Sequence, residues 1–169
     1  TCFLNSCVQV LSHTYELHDI LDNTVNRLND CIDAKLMIEF NNLRKLLWSK
    51  NCSIAPGGFV LMVQKIAKHK DKDLFTGYAQ NDLPEFLLFL IDSMHNCLTR
   101  PVEMKIKGNI ENSKDETAVK CYKMMISMYA KEYSEIIKSF YGIHVSEIKD
   151  PKTGNMLSAH PEPFFMIDV

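Results

Sequence analysis

The feature that most restricts how this chain can fold is an uninterrupted apolar run, residues 86–91 (Phe-Leu-Leu-Phe-Leu-Ile), set in a longer apolar stretch ending at Leu98. Just ahead of it Asp82 precedes Glu85 by three residues, the spacing of a helix-capping box. Pro84 falls in the first turn of the same helix, where a missing N–H leaves no bond unmade. A helix apolar around so much of its circumference has to be covered by other elements, so the fold must be assembled around it. A second helix is predicted over residues 35–48, where Leu36, Phe40, Leu43 and Leu47 make one stripe. Trp48, the only tryptophan, is expected to close the core at the end of that helix.

Leu4, Val8 and Leu11 recur at a helical period, so another helix begins within the first eleven residues. Cys2 stands at or just before its N-terminus. There the partial positive charge of the helix dipole favours a thiolate, the nucleophilic form of cysteine. Residues 19–29 are polar and turn-prone. Residues 54–58 (Ile-Ala-Pro-Gly-Gly) read as a loop, without the Gly-x-Gly-x-x-Gly or Gly-Lys-Ser/Thr context of a phosphate cradle. A short helix is expected over 59–68, ending in basic residues. Alternation of Val102, Met104 and Ile106 with charged residues predicts a strand over 101–109. A polar loop over 109–115 leads to one long helix, 116–140, whose stripe of Val119, Tyr122, Met125, Ile126, Tyr129, Tyr133, Ile136 and Ile137 reads as core. Residues 143–148 alternate as a strand, 150–154 form a turn, and 162–169 close as a strand.

Composition describes an ordinary globular protein of one domain: 169 residues, 46% hydrophobic and 24% charged. Nineteen basic against 21 acidic residues leave a net charge of −2, which argues against non-specific nucleic-acid binding. The longest apolar run is far short of a membrane span, and the opening residues do not form a signal peptide. Six cysteines, at 2, 7, 31, 52, 97 and 121, form no Cys-x-x-Cys pair. They read as reduced thiols in a reducing compartment, cytosol or nucleus. The chain opens on Thr, inside the motif described next, and is therefore expected to be a segment of a longer protein.

The run Thr1-Cys2-Phe3-Leu4-Asn5-Ser6, followed by Gln9 and Leu11, closely resembles the cysteine box of the ubiquitin-specific proteases, papain-like deubiquitinating enzymes. The resemblance makes Cys2 the nucleophile. Eighty residues on, Gln80-Asn81-Asp82, then Glu85-Phe86-Leu87 and Leu90, resembles the family's glutamine–aspartate box. Its polar residues line the channel for the C-terminal tail of ubiquitin, which by position assigns substrate binding to Gln80, Asp82 and Glu85. Carboxylates held at a helix start can accept charge-assisted hydrogen bonds from an Arg-containing peptide. Pro84 stands where a polar residue is often found, and Asn81 where Gln or His is usual. A third match begins at Phe140-Tyr141-Gly142 and closes with Glu162-Pro163-Phe164.

What the resemblance implies is an α+β, papain-like cysteine protease fold. Residues 1 to about 140 would form the helical thumb, and about 141 to 169 the first β-strands of the fingers and palm. Many relatives begin a zinc ribbon with Cys-x-x-Cys where this chain has Asp150 and Thr153. Because a zinc ribbon uses four sulfur or nitrogen ligands, no structural metal is expected, and no cofactor. His144 and His160 are read as solvated loop residues. None of the six histidines (13, 18, 69, 95, 144, 160) matches the family's histidine box, so the general base is expected beyond Val169. Asn5 reads as support for the helix start. The expected partner is ubiquitin or its conjugates, with neither nucleic acid nor membrane. Two functions follow: a deubiquitinating thiol protease, or a ubiquitin-binding scaffold that has lost catalysis.

Overall fold

In the computed structural model, which describes residues 2–51 and 53–167, the capped apolar segment is the helix α5, Leu83–Leu98. Asp82 takes the N-cap position, and its carboxylate accepts a hydrogen bond from Glu85 N at 2.9 Å. The sides of α5 that bear Phe86, Leu90, Ile91, Met94 and Cys97 are fully buried. The chain divides into two compact units, Thr1–Thr99 and Arg100–Val169, and α5 is the centre of the first.

The remaining helices of this first unit are α1 (Cys2–Ser12), α2 (Tyr15–Thr24), α3 (Ile32–Ser49) and α4 (Gly57–His69). Short 3₁₀ turns lie at Val25–Arg27 and Asp73–Phe75. Helices α1 and α3 pack on α5, and α4 packs on α3. Where α1 meets α5, four phenylalanine rings converge. Phe86 lies edge-on to Phe3 with centroids 4.9 Å apart, 5.3 Å from Phe75 and 6.2 Å from Phe89. Each ring brings a large apolar area, and edge-on pairs add attraction between ring edge and ring face.

Helix α2 replaces the polar, turn-prone stretch expected over 19–29. Its buried residues Leu17, Ile20, Leu21 and Thr24 recur at i, i+3, i+4 and i+7. The stripe is narrow and is diluted by Glu16, His18, Asp19, Asp22 and Asn23 on the other faces. A polar cluster ties α2 to α3: the buried Arg44 guanidinium donates to the buried Asn41 Oδ1 at 2.7 Å and to the exposed Asp22 of α2. Trp48 does not close the core, being 49% exposed. Its indole N–H donates to Ser12 O at 2.8 Å, and its ring packs against His13, Tyr15 and His18 over the α1–α2 corner.

In the second unit the expected long helix is two: α6, Ser113–Glu132, and α7, Glu135–Phe140. The break has a cause. Tyr133 leaves the helical conformation to exchange backbone hydrogen bonds with Arg100, at 2.9 and 3.0 Å. Ser134, fully buried, then caps α7 by accepting from Ile137 N. The Arg100 side chain makes a two-point ion pair with Glu135, 2.9 and 2.7 Å, and lies over the Tyr133 ring. Residues 101–109 form no strand. Val102 N donates to Ala130 O, one of the carbonyls left open at the end of α6, so the extended segment follows a helix end and has no ladder. Of the expected core stripe only Tyr129, Ile136 and Ile137 are buried, while Tyr122 is exposed.

The two strands β1 (Gly142–Lys149) and β2 (Met156–Phe164) pair antiparallel, with Gly142 opposite Phe164 and His144 opposite Glu162. A Cβ on Gly142 would lie 2.6 Å from the Phe164 ring, so any other residue there would require that ring to move. The second strand therefore starts six residues before the expected position 162 and ends at Phe164, with residues 168 and 169 outside those described. Pro161 and Pro163 sit within it. Proline interrupts a central strand, yet alternate positions of an edge strand tolerate it because their N–H sites face away from the ladder. The turn is built by Asp150, whose carboxylate accepts from Lys152 N and Thr153 Oγ1 and is held below the usual carboxylate range by those bonds. Gly154 completes it at φ 71, the left-handed region.

If the phenylalanine cluster carries the packing of α1 on α5, Phe86→Ala should cost about 3–5 kcal/mol in urea unfolding. Trp48→Ala, half exposed, should cost about 1 kcal/mol, the value of its one hydrogen bond. Equal losses would show that the core is centred elsewhere.

Candidate active site

Cys2 is the first residue of α1 and is exposed. The residues that follow it anchor the helix: Phe3, Leu4, Cys7, Val8 and Leu11 are all buried. The thiol is thus carried on a fixed support while itself facing solvent. It borders a cleft of about 650 Å³ that it shares with Asn5 and Gln9 of α1, Leu47 of α3, and Pro56 and Val60 at the start of α4. Asn5, read from the sequence as support for the helix start, lines this cleft and is itself exposed.

The second set of candidate residues lies at the start of α5. Gln80, Asp82 and Glu85 are all exposed. Two contacts bring this region against α1. One is the Phe3–Phe86 ring pair, whose members directly follow Cys2 and Glu85 in the chain. The other is the Cys7 thiol, which lies 3.9 Å from Leu83 O at the first turn of α5. The cysteine box and the glutamine–aspartate box are therefore side by side. One oxygen of Asp82 is engaged by Glu85 N as a helix cap, so its position is fixed by the backbone it caps.

Asn81 turns out to have a structural task that the sequence did not disclose. Its amide donates to Leu74 O at 2.7 Å and to Ala79 O at 3.2 Å, which closes the loop carrying Gln80. The substitution relative to the usual Gln or His thus leaves a short side chain that binds its own loop, as Asn characteristically does.

The other thiols of this unit are in different environments. Cys7 is buried, and desolvation pushes its pKa up to about 11. Cys97 is fully buried, donates to Ser93 O at 3.1 Å and is pushed higher still, first by burial and then by Cys31. A buried thiol held protonated is a poor nucleophile at neutral pH. Cys52 lies outside the described residues.

The four histidines of the first unit stand away from Cys2. His13 follows the last residue of α1, roughly 16 Å along the axis from Cys2 at 1.5 Å per residue. Its Nδ1–H donates to Gln9 O at 2.8 Å. His18 is at the same end, bonded through Nε2 to Ser12 O at 2.7 Å. His69 and His95 each follow by nine residues the part of α4 or α5 nearest Cys2, roughly 13 Å of helix. Among these, His13, His69 and His95 stand at the C-terminal ends of α1, α4 and α5, whereas His18 lies in the first turn of α2. In the second unit His144 pairs with Glu162 across the sheet at 3.1 Å and stacks on Phe164.

No group of three or more His, Cys, Asp or Glu among the described residues is placed to hold a metal ion. Asp150 and Thr153 are engaged in the β1–β2 turn. No helix among the described residues is long and apolar enough to cross a membrane.

A family model described as ubiquitin carboxyl-terminal hydrolase matches residues 1–156. The chain belongs to that family. It is 32% identical over its whole length to ubiquitin carboxyl-terminal hydrolase 9 of Arabidopsis thaliana, of which it covers 19%. Over 66% of the chain it is 39% identical to human ubiquitin carboxyl-terminal hydrolase 2, covering 18% of that protein. It is 29% identical along its whole length to ubiquitin carboxyl-terminal hydrolase Usp2 of Drosophila melanogaster. The chain thus spans about a fifth of the length of the curated relatives it matches. The α+β architecture, helices followed by a small antiparallel sheet, agrees with the expected fold.

The burial contrast predicts an order of reaction with a small alkylating agent at neutral pH, read by peptide mass spectrometry: Cys2 first, Cys7 and Cys97 far behind. It also predicts a pH effect. Cys7 keeps its proton in the folded state to about pH 11, against a usual value of 9. The unfolded chain therefore releases that proton first as pH rises, and its contribution to stability is complete below 9 and lost between 9 and 11. Cys7→Ala should flatten that part of the stability–pH curve.

Proposed function

We infer that the chain is part of a deubiquitinating thiol hydrolase, with Cys2 as its nucleophile. The observation that carries this reading is the position of Cys2: an exposed thiol on a helix anchored by its buried face, at the mouth of a cleft, beside the start of α5. The Cys2 thiolate attacks the carbonyl carbon of the bond that follows ubiquitin's C-terminal glycine. The tetrahedral intermediate expels the amine of the conjugated protein, which takes up a proton as it leaves. Water then hydrolyses the thioester and frees the thiol. Gln80, Asp82 and Glu85 hold the basic tail of ubiquitin while this happens, through charge-assisted hydrogen bonds to the carboxylates. Residues 1 to about 140 act as the helical thumb of the catalytic domain, in the reducing cytosol or nucleus.

The general base is a histidine from outside residues 1–169. The separation of His13, His18, His69 and His95 from Cys2 supports this assignment. The same separation favours a second reading, in which ubiquitin is bound and not cut.

One experiment separates the two. The full-length protein is treated with ubiquitin bearing a thiol-reactive electrophile at its C-terminus, and the intact mass is read. A one-to-one adduct that is lost in Cys2→Ala supports the hydrolase; ubiquitin bound without an adduct supports the scaffold. Neither adduct nor binding overturns both. Asp82→Asn retains the helix cap, since Asn caps as well as Asp, but removes the charge. It should weaken ubiquitin binding by about tenfold, with unchanged stability, the value of one charge-assisted bond. Glu85→Gln should behave alike.

A further inference from the structure

Away from Cys2, at the opposite end of α5, two more thiols meet. Cys31 and Cys97 are 66 residues apart in sequence, with their sulfurs 4.0 Å apart. Several bonds hold them there. Asn29 N donates to Cys97 O at 2.9 Å, and Asn29 Nδ2 donates to Thr99 O at 3.2 Å and Asn96 O at 3.4 Å. Cys31 N donates to Asn29 O at 2.9 Å, so the residue that leads into α3 is tied to the last turn of α5. One turn further along, Asn96 Nδ2 donates to Asp33 Oδ2 at 3.3 Å, and Lys70 Nζ joins Asp33 Oδ1 at 2.8 Å to Ser93 Oγ at 3.0 Å. The two cysteines thus sit in a polar clasp between α3 and α5 whose backbone positions are set independently of the sulfurs.

Their exposures differ in a way that fits a sequential reaction. Cys31 is partly exposed and can be reached by a small oxidant, whereas Cys97 is fully buried. Burial holds Cys97 as a thiol that donates to Ser93 O, so it reacts only with a group brought to it. The sulfurs must approach by about 2 Å to reach the S–S bond length, a distance that side-chain rotation at a loop residue can supply.

The geometry points to Cys31 and Cys97 as a reversible disulfide pair closed by hydrogen peroxide, a modification site distinct from Cys2. In the first step Cys31 sulfur attacks one peroxide oxygen: an S–O bond forms, the O–O bond breaks, and hydroxide leaves and is protonated to water. In the second, Cys97 sulfur attacks Cys31 sulfur: the S–S bond forms, the S–O bond breaks, and the departing hydroxide takes the Cys97 proton as water. Two thiols lose two electrons and peroxide is reduced to two waters. A small dithiol reverses the change. Closure ties the start of α3 to the end of α5, the helix whose first turn carries Asp82 and Glu85, and shortens the free chain of the unfolded state.

The test uses the full-length protein carrying Cys2→Ala, which removes the exposed thiol from competition. It is oxidised with hydrogen peroxide and digested without reduction. The expected product is a peptide joining Cys31 to Cys97, lighter than the two thiol peptides by two hydrogens. Dithiothreitol should release it, and Cys31→Ser should abolish it. The thermal midpoint should rise on oxidation by several degrees, and not in Cys31→Ser. Cys97→Ala supplies a second variant, also without the linked peptide. Oxidation of Cys31 to sulfinic or sulfonic acid without a link, pairing of Cys97 with another cysteine, or a link without a rise in midpoint would each overturn the proposal. Because the readouts are a peptide and a melting temperature, they do not depend on whether the protein cleaves ubiquitin.

Discussion

The contact between Phe3 and Phe86 is the interaction on which the first unit depends. It joins the second residue of α1 to the fourth of α5, and so fixes the two segments that carry the candidate chemistry by a single buried, edge-on ring pair. Phe75 and Phe89 complete the cluster from a 3₁₀ turn and from the next turn of α5. Cys2 and Glu85 can remain exposed because the residue following each is anchored. A rigid apolar base with polar groups at its edge is the arrangement a site needs if its groups are to be held without being buried.

The arrangement of helix ends has an electrostatic consequence. The cleft beside Cys2 is lined from the starts of α1 and α4, while His13 and His69 stand at the C-terminal ends of those two helices. Helix N-termini present unpaired N–H groups and partial positive charge, and C-termini the reverse. Two helix starts therefore turn partial positive charge toward the cleft. The exposed carboxylates of Asp82 and Glu85 stand at the start of α5.

Three cysteine environments coexist in one unit, and solvent access sorts them. Cys2 faces water, Cys7 and Cys97 lie in the apolar interior, and Cys31 lies between these extremes. Cysteine is the same group in every case; what differs is how much solvation a thiolate would lose, which is why Cys7 keeps its proton to about pH 11.

By itself, the sequence determined the elements whose information is local. The start of α1, the cap Asp82 with the apolar face of α5, the stripe of α3, and the β1 strand and Asp150 turn all follow from spacing and from side chains that bond their own backbone. The resemblance of the boxes at Cys2 and at Gln80–Asp82–Glu85 also belongs to the sequence, and with it membership of the family. Tertiary structure decided the rest. Helix α2 forms because Leu17, Ile20 and Leu21 find a core and Arg44 finds Asp22, although the segment is polar by composition. The helix over 116–140 breaks at Tyr133 because Arg100, 33 residues earlier in the chain, offers that residue better backbone bonds. Residues 101–109 alternate as a strand would but lack a neighbouring strand, and prolines at 161 and 163 are accepted because β2 has an open edge. Trp48 lies over a corner and not in the core, since its N–H found Ser12 O there. In each case the deciding partner is distant in sequence, and no local pattern records it.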